Sequence, residues 1–193
     1  RCHPPTRMRP RARTRAALGI TARAWMVPFV GPGFERKGLG PLLSAFATLA
    51  DDDSRLVVTG KGNVPRYEAL AARLGIDEQV TWTGPVSDVE KLYAAADVVA
   101  LPALYEPFGN VHLEAMASGV PVLSSAGGGG SEDIQQEENG GVGGEPHAAG
   151  VAGGVAAIPS DLIELKIAYF GPDKPLEIVS EEDLRKRSRS GGE

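Results

Sequence analysis

Residues 55–75 read RLVVTGKGNVPRYEALAARLG. Arg55 to Thr59 is a β-branched run of strand length, stopped by Gly60-Lys61-Gly62. Tyr67, Leu70, Ala71 and Leu74 then recur at the spacing of one helix face, and Gly75 stands where a helix closes in the left-handed conformation. Strand, glycine turn and helix in succession make one unit of a parallel sheet, because the helix returns the chain to start the next strand in the same direction. The unit repeats on both sides. Upstream, Met26 to Gly31 is a strand, Gly31-Pro32-Gly33 a turn, and Leu39, Leu42, Leu43, Phe46 and Leu49 a helix face ending near Asp51, with Pro41 tolerated in the first turn. Downstream, Gln79 to Thr83 is the third strand. Ser87-Asp88-Val89-Glu90 has the form of a capping box, which predicts a helix from about Asp88 through Ala96. Asp97 to Leu101 is the fourth strand, Asn110 to Ser118 a helix closed by Gly119, and Pro121 to Ser124 the fifth strand. The expectation is an α/β fold with a doubly wound parallel sheet, Rossmann-like in its connections. Pro28 stands against it, since proline removes a ladder hydrogen bond from a strand that should be central.

The rest of the chain bounds this reading. Of 193 residues, 42% are hydrophobic and 23% charged, enough to bury a core and too many apolar residues for wholesale disorder. No apolar run approaches the ~20 residues that cross a bilayer. Cys2 is the single cysteine, which excludes an internal disulfide, and no Cys/His cluster has metal spacing. A reducing, cytoplasmic setting is expected. The net charge of -5 gives no general attraction to nucleic acid. Residues 1–24 hold six arginines before position 16 and no acid, and read as a basic linker or the cut end of a longer chain, solvated rather than bound to nucleic acid. Residues 25–134 form the α/β domain. Residues 135–193 are a Gly-rich and charged tail, with a short strand at 155–158 and a helix at 161–169 as its only expected elements.

In such sheets ligands bind beyond the carboxyl ends of the strands, which directs attention to residues 31–40, 60–63, 84–87 and 102–110. Gly31-Pro32-Gly33-Phe34-Glu35-Arg36-Lys37-Gly38 offers backbone N–H groups and two adjacent cations there, a setting suited to phosphate. It is neither a P-loop nor a Gly-x-Gly-x-x-Gly fingerprint, and by itself is equally a turn with two solvated cations. Glu106 precedes a helix and Glu114 lies one turn into it. Gly109, Asn110 and Val111 stand between them at the helix N-terminus, whose N–H groups favour an anion. One carboxylate on a ribose, one on a sugar and a diphosphate between would use every group. Two glutamates at this spacing also arise by chance. His112, His3 and His147 have no partner in sequence and read as satisfied or solvated.

Residues 31–132 resemble the C-terminal, donor-binding half of retaining GT-B glycosyltransferases of family 4, the glycosyl transferases group 1 domain. The matches are Phe34-Glu35-Arg36-Lys37-Gly38-Leu39, Val58-Thr59-Gly60, Gly84 with Asp88, Leu92 to Asp97, and the E-x7-E motif from Glu106 to Glu114, continued by Leu113 to Val122. Phe-Glu-Arg-Lys-Gly and Tyr-Glu-Pro-Phe-Gly-Asn are most similar to enzymes that add glucose to heptose in lipopolysaccharide cores. The resemblance implies Arg36, Lys37 and Glu106 as catalytic groups: the two cations on the diphosphate, the glutamate on a sugar hydroxyl. It implies Glu114 on the ribose, Phe108 to Val111 on the phosphates through backbone N–H, and Gly84 to Val86 around the base, with Gly33 and Gly60 shaping the floor. The donor would be a nucleotide-sugar, a UDP-sugar favoured, with no other cofactor and no metal. The acceptor would be a saccharide or lipid-linked saccharide held by a missing N-terminal domain, in a parent enzyme at the inner face of the membrane. Two alternatives stay open: a non-catalytic nucleotide- or phosphate-binding module, and a GT-B-shaped nucleotide-sugar epimerase.

Overall fold

The computed structural model describes residues 8–49, 53–105, 109–125 and 140–143. In chain order the elements are α1 (Met8–Ala17), β1 (Trp25–Val30), α2 (Leu39–Leu49), β2 (Ser54–Thr59), α3 (Val64–Leu74), β3 (Val80–Gly84), α4 (Val89–Ala95), β4 (Val99–Leu101), α5 (Asn110–Ala117), β5 (Val122–Ser125) and β6 (Gly140–Gly143). Each expected strand and helix between residues 25 and 125 is present within a residue or three of its expected ends. α3 closes as predicted, with Gly75 at φ 73° and its N–H on the carbonyls of Ala71 and Ala72.

The strands form two parallel three-stranded sheets, β1-β2-β3 and β4-β5-β6, with β4 lying beside β1. Across the molecule the order is therefore 3-2-1-4-5-6, the doubly wound arrangement. Val27, Phe29, Leu56 and Val58 bury one face under α2 and α3. Met26 and Val57 turn the other way, under α4 and the residues that follow α1. Val30, Val99 and Val122 continue that second face under α4 and α5. A sheet covered on both sides explains why its strands read as continuous apolar runs rather than alternating ones.

Pro28 is inside β1, opposite Val57. Its neighbours explain why it is tolerated. The N–H groups of Trp25 and Gly31 point to β2, onto Asp53 and Thr59, so the even-numbered residues of β1 face β4. There the ladder is interrupted: the Asp97 N–H donates to the Met26 carbonyl at 2.9 Å, and the Met26 N–H donates to the Asp97 carboxylate at 2.9 Å. The missing proline donor falls on the seam between the two sheets, where β1 and β4 form no continuous ladder and no strand hydrogen bond is lost.

That seam holds the described part of the basic arm, residues 8–24, in packed structure rather than in solvent. From Met8 to Ala17 the arm is helix α1. Arg15 is buried at 3% exposure. Its Nη2 donates to Asp97 Oδ2 at 2.6 Å, its Nη1 to the Ala24 carbonyl at 2.7 Å and its Nε to the Ala95 carbonyl at 3.0 Å. Arg11 donates to Asp97 Oδ1 at 2.8 Å. Burial lowers the Arg15 pKa from its ordinary value, opposed by the Asp97 carboxylate. Sequence periodicity missed α1 because arginines do not read as an inward face, yet their guanidinium donors satisfy carbonyls that the ends of α4 and the 18–24 turn leave open.

Two further expectations change. Ser87-x-x-Glu90 makes no capping box: Asp88 is the N-cap residue and makes no side-chain cap. The Asp88 carboxylate pairs with Lys91 instead, in an exposed contact. The Gly-rich stretch contributes a strand, β6, parallel to β5 from Val122↔Gly140 to Ser125↔Gly143. Two glycines in a row can pair through the backbone even where they offer no side chain to a core. The expected strand at 155–158 and helix at 161–169 lie outside the described residues.

Candidate functional site

Because the strands are parallel, the loops after β1, β2, β3 and β4 all emerge at one edge. Three of them are sewn together by main-chain hydrogen bonds. The Gly31 N–H donates to Thr59 O at 2.9 Å, the Gly33 N–H to Lys61 O at 2.9 Å, and the Gly60 N–H to Gly84 O at 3.0 Å. The Thr59 and Thr83 hydroxyls add a contact at 2.8 Å. Gly60 has φ +132°, and a Cβ there would lie 2.2 Å from the Gly31 carbonyl oxygen. Only glycine permits that approach.

The fourth loop is clasped to the first. A Cβ on Gly38 would fall 1.9 Å from the Pro102 oxygen. The Leu104 N–H donates to Arg36 O at 2.9 Å, and Arg36 Nη1 donates to Tyr105 O at 2.8 Å. Arg36 Nε passes 3.8 Å from where a Gly33 Cβ would be. Lys37 is buried at 5% exposure and lies against the exit of β1: a Cβ on Gly31 would be 2.7 Å from its Cε and 3.1 Å from its Nζ. The ammonium therefore sits at the centre of the loop cluster rather than in open solvent, unlike the solvated cation that the loop sequence by itself allows.

Five residues beyond Tyr105, α5 begins. Its N-cap is Gly109, in the left-handed region at φ 52°, ψ 32°. The N–H groups of Asn110 and Val111 belong to the first turn, where no intrahelical acceptor exists. Glu114, one turn on, is exposed and accepts a hydrogen bond from Tyr93 Oη of α4 at 2.8 Å. Tyr93 is itself buried, and burial, aided by the Glu114 carboxylate, pushes its phenol well above the ordinary value. Val86, in the loop after β3, is half-buried and packs against the apolar cluster that contains Met26, Val57 and Leu92. Glu106 and Phe108 lie outside the described residues.

The structure thus gathers Gly33, Arg36, Lys37, Gly60 and Gly84 at one edge and ties them, through Tyr105, to the segment that enters α5. A shallow pocket of about 270 Å³ lies beside this cluster, between the start of α2 and α3, lined by Glu35, Pro41, Arg66, Tyr67, Arg73 and Leu104. It includes none of the expected site residues. His112, which the sequence reads as satisfied or solvated, is the former: it is fully buried with Nδ1 3.2 Å from Gly109 O and Nε2 3.0 Å from Ser124 Oγ. Its one signal was position: His112 stands three residues before Ala115, on the face that α5 turns to the sheet.

Comparison with known proteins places this arrangement. Residues 10–165 match the family model described as glycosyl transferases group 1. An uncharacterised glycosyltransferase of Methanocaldococcus jannaschii is 39% identical over 116 residues, 58% of this chain and 30% of that protein. The lipopolysaccharide glucosyltransferase WaaG of Escherichia coli is 37% identical over 111 residues, 56% of this chain and 30% of that protein. A crystal structure of WaaG superposes with a TM-score of 0.73 at 27% identity, covering 95% of this chain and 51% of that one. Anabaena HepE in complex with UDP-glucose superposes with a TM-score of 0.69 at 25% identity, covering 89% of this chain and 45% of that one. The chain thus spans about a third of the curated relatives it matches and about half of the solved ones. In sequence and in its doubly wound sheet alike, this chain belongs to the glycosyl transferases group 1 family.

Proposed function

We propose that the chain is the donor-binding half of a glycosyltransferase and holds a nucleoside diphosphate sugar, a UDP-sugar by preference, for transfer of the sugar to a hydroxyl acceptor with retention and without a metal. The observation that carries this reading is the buried Lys37 ammonium at the exit of β1, with Arg36 bonded to the loop that enters α5. The Leu104 N–H on Arg36 O and Arg36 Nη1 on Tyr105 O fix the cation-bearing loop against the exit of β4. Negative charge grows on the departing nucleoside diphosphate in the transition state, and cations and N–H dipoles already aimed at it stabilise that charge without reorganising. Arg36, Lys37 and the Phe108 to Val111 amides would take the diphosphate, Glu114 the ribose and Glu106 a sugar hydroxyl. Gly84 to Val86 would take the base. HepE, whose structure contains UDP-glucose, supports the choice of donor. The acceptor, a saccharide or lipid-linked saccharide, would be held by a second domain of the whole protein, at the cytoplasmic face of the membrane.

Titration calorimetry with UDP, ADP and GDP tests the donor site. Micromolar binding of one of them, weakened tenfold or more in Lys37→Ala and Glu114→Ala, is the expected result; binding of none overturns the proposal. Hydrolysis or transfer of the matching labelled nucleotide-sugar then separates a transferase from a binding module. Loss of Lys37 should lower that rate about a hundred- to thousandfold.

A further inference from the structure

The buried histidine of α5 has no role in the donor site as proposed so far, yet it touches a peptide group at the helix start that the proposal places on the diphosphate. We infer that His112 is a positioning residue for the phosphate-binding start of α5: it orients the Asn110 N–H by holding the carbonyl on the other side of the same peptide plane.

The geometry is a lever with a fixed end. His112 is fully buried. Nε2 is 3.0 Å from Ser124 Oγ, on β5, and Ser125 Oγ in turn donates to Ala103 O in the exit of β4. Nδ1 is 3.2 Å from Gly109 O. A carbonyl can only accept, so Nδ1 carries a proton whatever the charge of the ring, while the Ser124 hydroxyl can either donate or accept. The Gly109 carbonyl also receives the His112 N–H at 2.8 Å and the Leu113 N–H at 3.4 Å. In a trans peptide the C=O of residue 109 and the N–H of residue 110 are coplanar and point in opposite directions. Holding the carbonyl inward against α5 and β5 therefore turns the Asn110 N–H the opposite way, out of the helix start. Gly109 needs such a hold: at φ 52° it is a glycine in the left-handed region, free to rotate its peptide in a way other residues are not. A histidine that merely filled the core would leave this carbonyl to the helix alone.

This inference rests on the donor-site proposal, and the experiment keeps the two apart. The wild-type chain is titrated with UDP, or with whichever nucleoside diphosphate it binds, and with the nucleoside alone. His112→Asn keeps an amide N–H near the Nδ1 position, whereas His112→Gln moves it out toward Nε2, and Ser124→Ala leaves the ring without its hydroxyl on β5. Thermal unfolding of each variant is measured alongside. The expected result is a diphosphate affinity about five- to tenfold lower in His112→Gln, the size of one charge-assisted hydrogen bond, a smaller loss in Ser124→Ala, and recovery in His112→Asn although Asn leaves a void and lowers the unfolding temperature. Nucleoside affinity stays constant throughout. Diphosphate affinity that is unchanged in His112→Gln and Ser124→Ala, or that tracks unfolding temperature across the set, overturns the positioning role. Failure of the wild type to bind any nucleoside diphosphate overturns the donor site itself.

Discussion

The two halves of the loop edge are built by different means. At the ends of β1, β2 and β3 the loops are joined backbone to backbone, glycine N–H to carbonyl, with Gly60 and Gly31 closer than any side chain allows. At the ends of β4 and β5 a backbone bond, the Leu104 N–H on Arg36 O, and the close approach of Gly38 to Pro102 are joined by contacts that run through side chains: Arg36 to Tyr105 O, His112 to Gly109 O and Ser124, Tyr93 to Glu114. The seam between the halves is also a side chain, Asp97, in the place of a ladder that Pro28 cannot complete. The first half is set mainly by where glycines fall, the second by a glycine, Gly38, together with distant side chains that meet.

The comparison is broken most directly at the seam. Asp97→Ala leaves Arg15 buried among carbonyls with no carboxylate, and should cost about 3–5 kcal/mol, the usual result of removing one partner of a buried ion pair; urea unfolding monitored by circular dichroism measures it. Next comes the backbone-joined half. Gly60→Ala forces a methyl against the Gly31 carbonyl and a strained φ, so a loss of about 3 kcal/mol is expected by the same measurement, with part of nucleotide binding. In the side-chain half, Tyr93→Phe removes a single hydrogen bond to a carboxylate and should cost about 1–2 kcal/mol at neutral pH.

Tyr93 also sharpens the contrast through pH. Its phenol pKa is raised in the fold, first by burial, and that of Tyr67 is raised for the same leading reason. Stability from these groups is complete below the ordinary tyrosine value of about 10. It is lost as pH rises above that value, because the unfolded chain then releases protons that the folded one retains. Unfolding free energy measured from pH 8 to 11 should fall more steeply in wild type than in Tyr93→Phe. The smallest effect is expected at Gly84, where a Cβ meets nothing within 4 Å at φ +67°. Gly84→Ala should cost only about 1 kcal/mol of strain and leave the loop junction intact. A loss as large as that of Gly60→Ala would show that close approach is not what distinguishes the two glycines.

The strands and helices between residues 25 and 125 were legible because each announces itself locally: Arg55 to Thr59 by β-branching, Tyr67 to Leu74 by period, Gly75 by its place at a helix end. Lys37 was legible as a residue beside a turn but not as a buried one, since its side chain lies back against Gly31 only once the loop after β1 has folded. The failed capping box at Ser87 shows the limit even of local rules, for Asp88 pairs with Lys91 instead of capping.

By itself the sequence determined the alternation of strand and helix, the edge at which the loops after β1 to β4 gather and the family of the chain, because periodicity, turn glycines and motif order are properties of neighbouring residues. Only the tertiary structure decided that the arginine arm is a helix locked onto Asp97, that Pro28 lies on a seam, and that His112 joins Gly109 to β5. Arg15 and Asp97 stand 82 residues apart and Met26 and Asp97 stand 71 apart. No local pattern encodes a hydrogen bond whose two ends meet only after the sheet has formed.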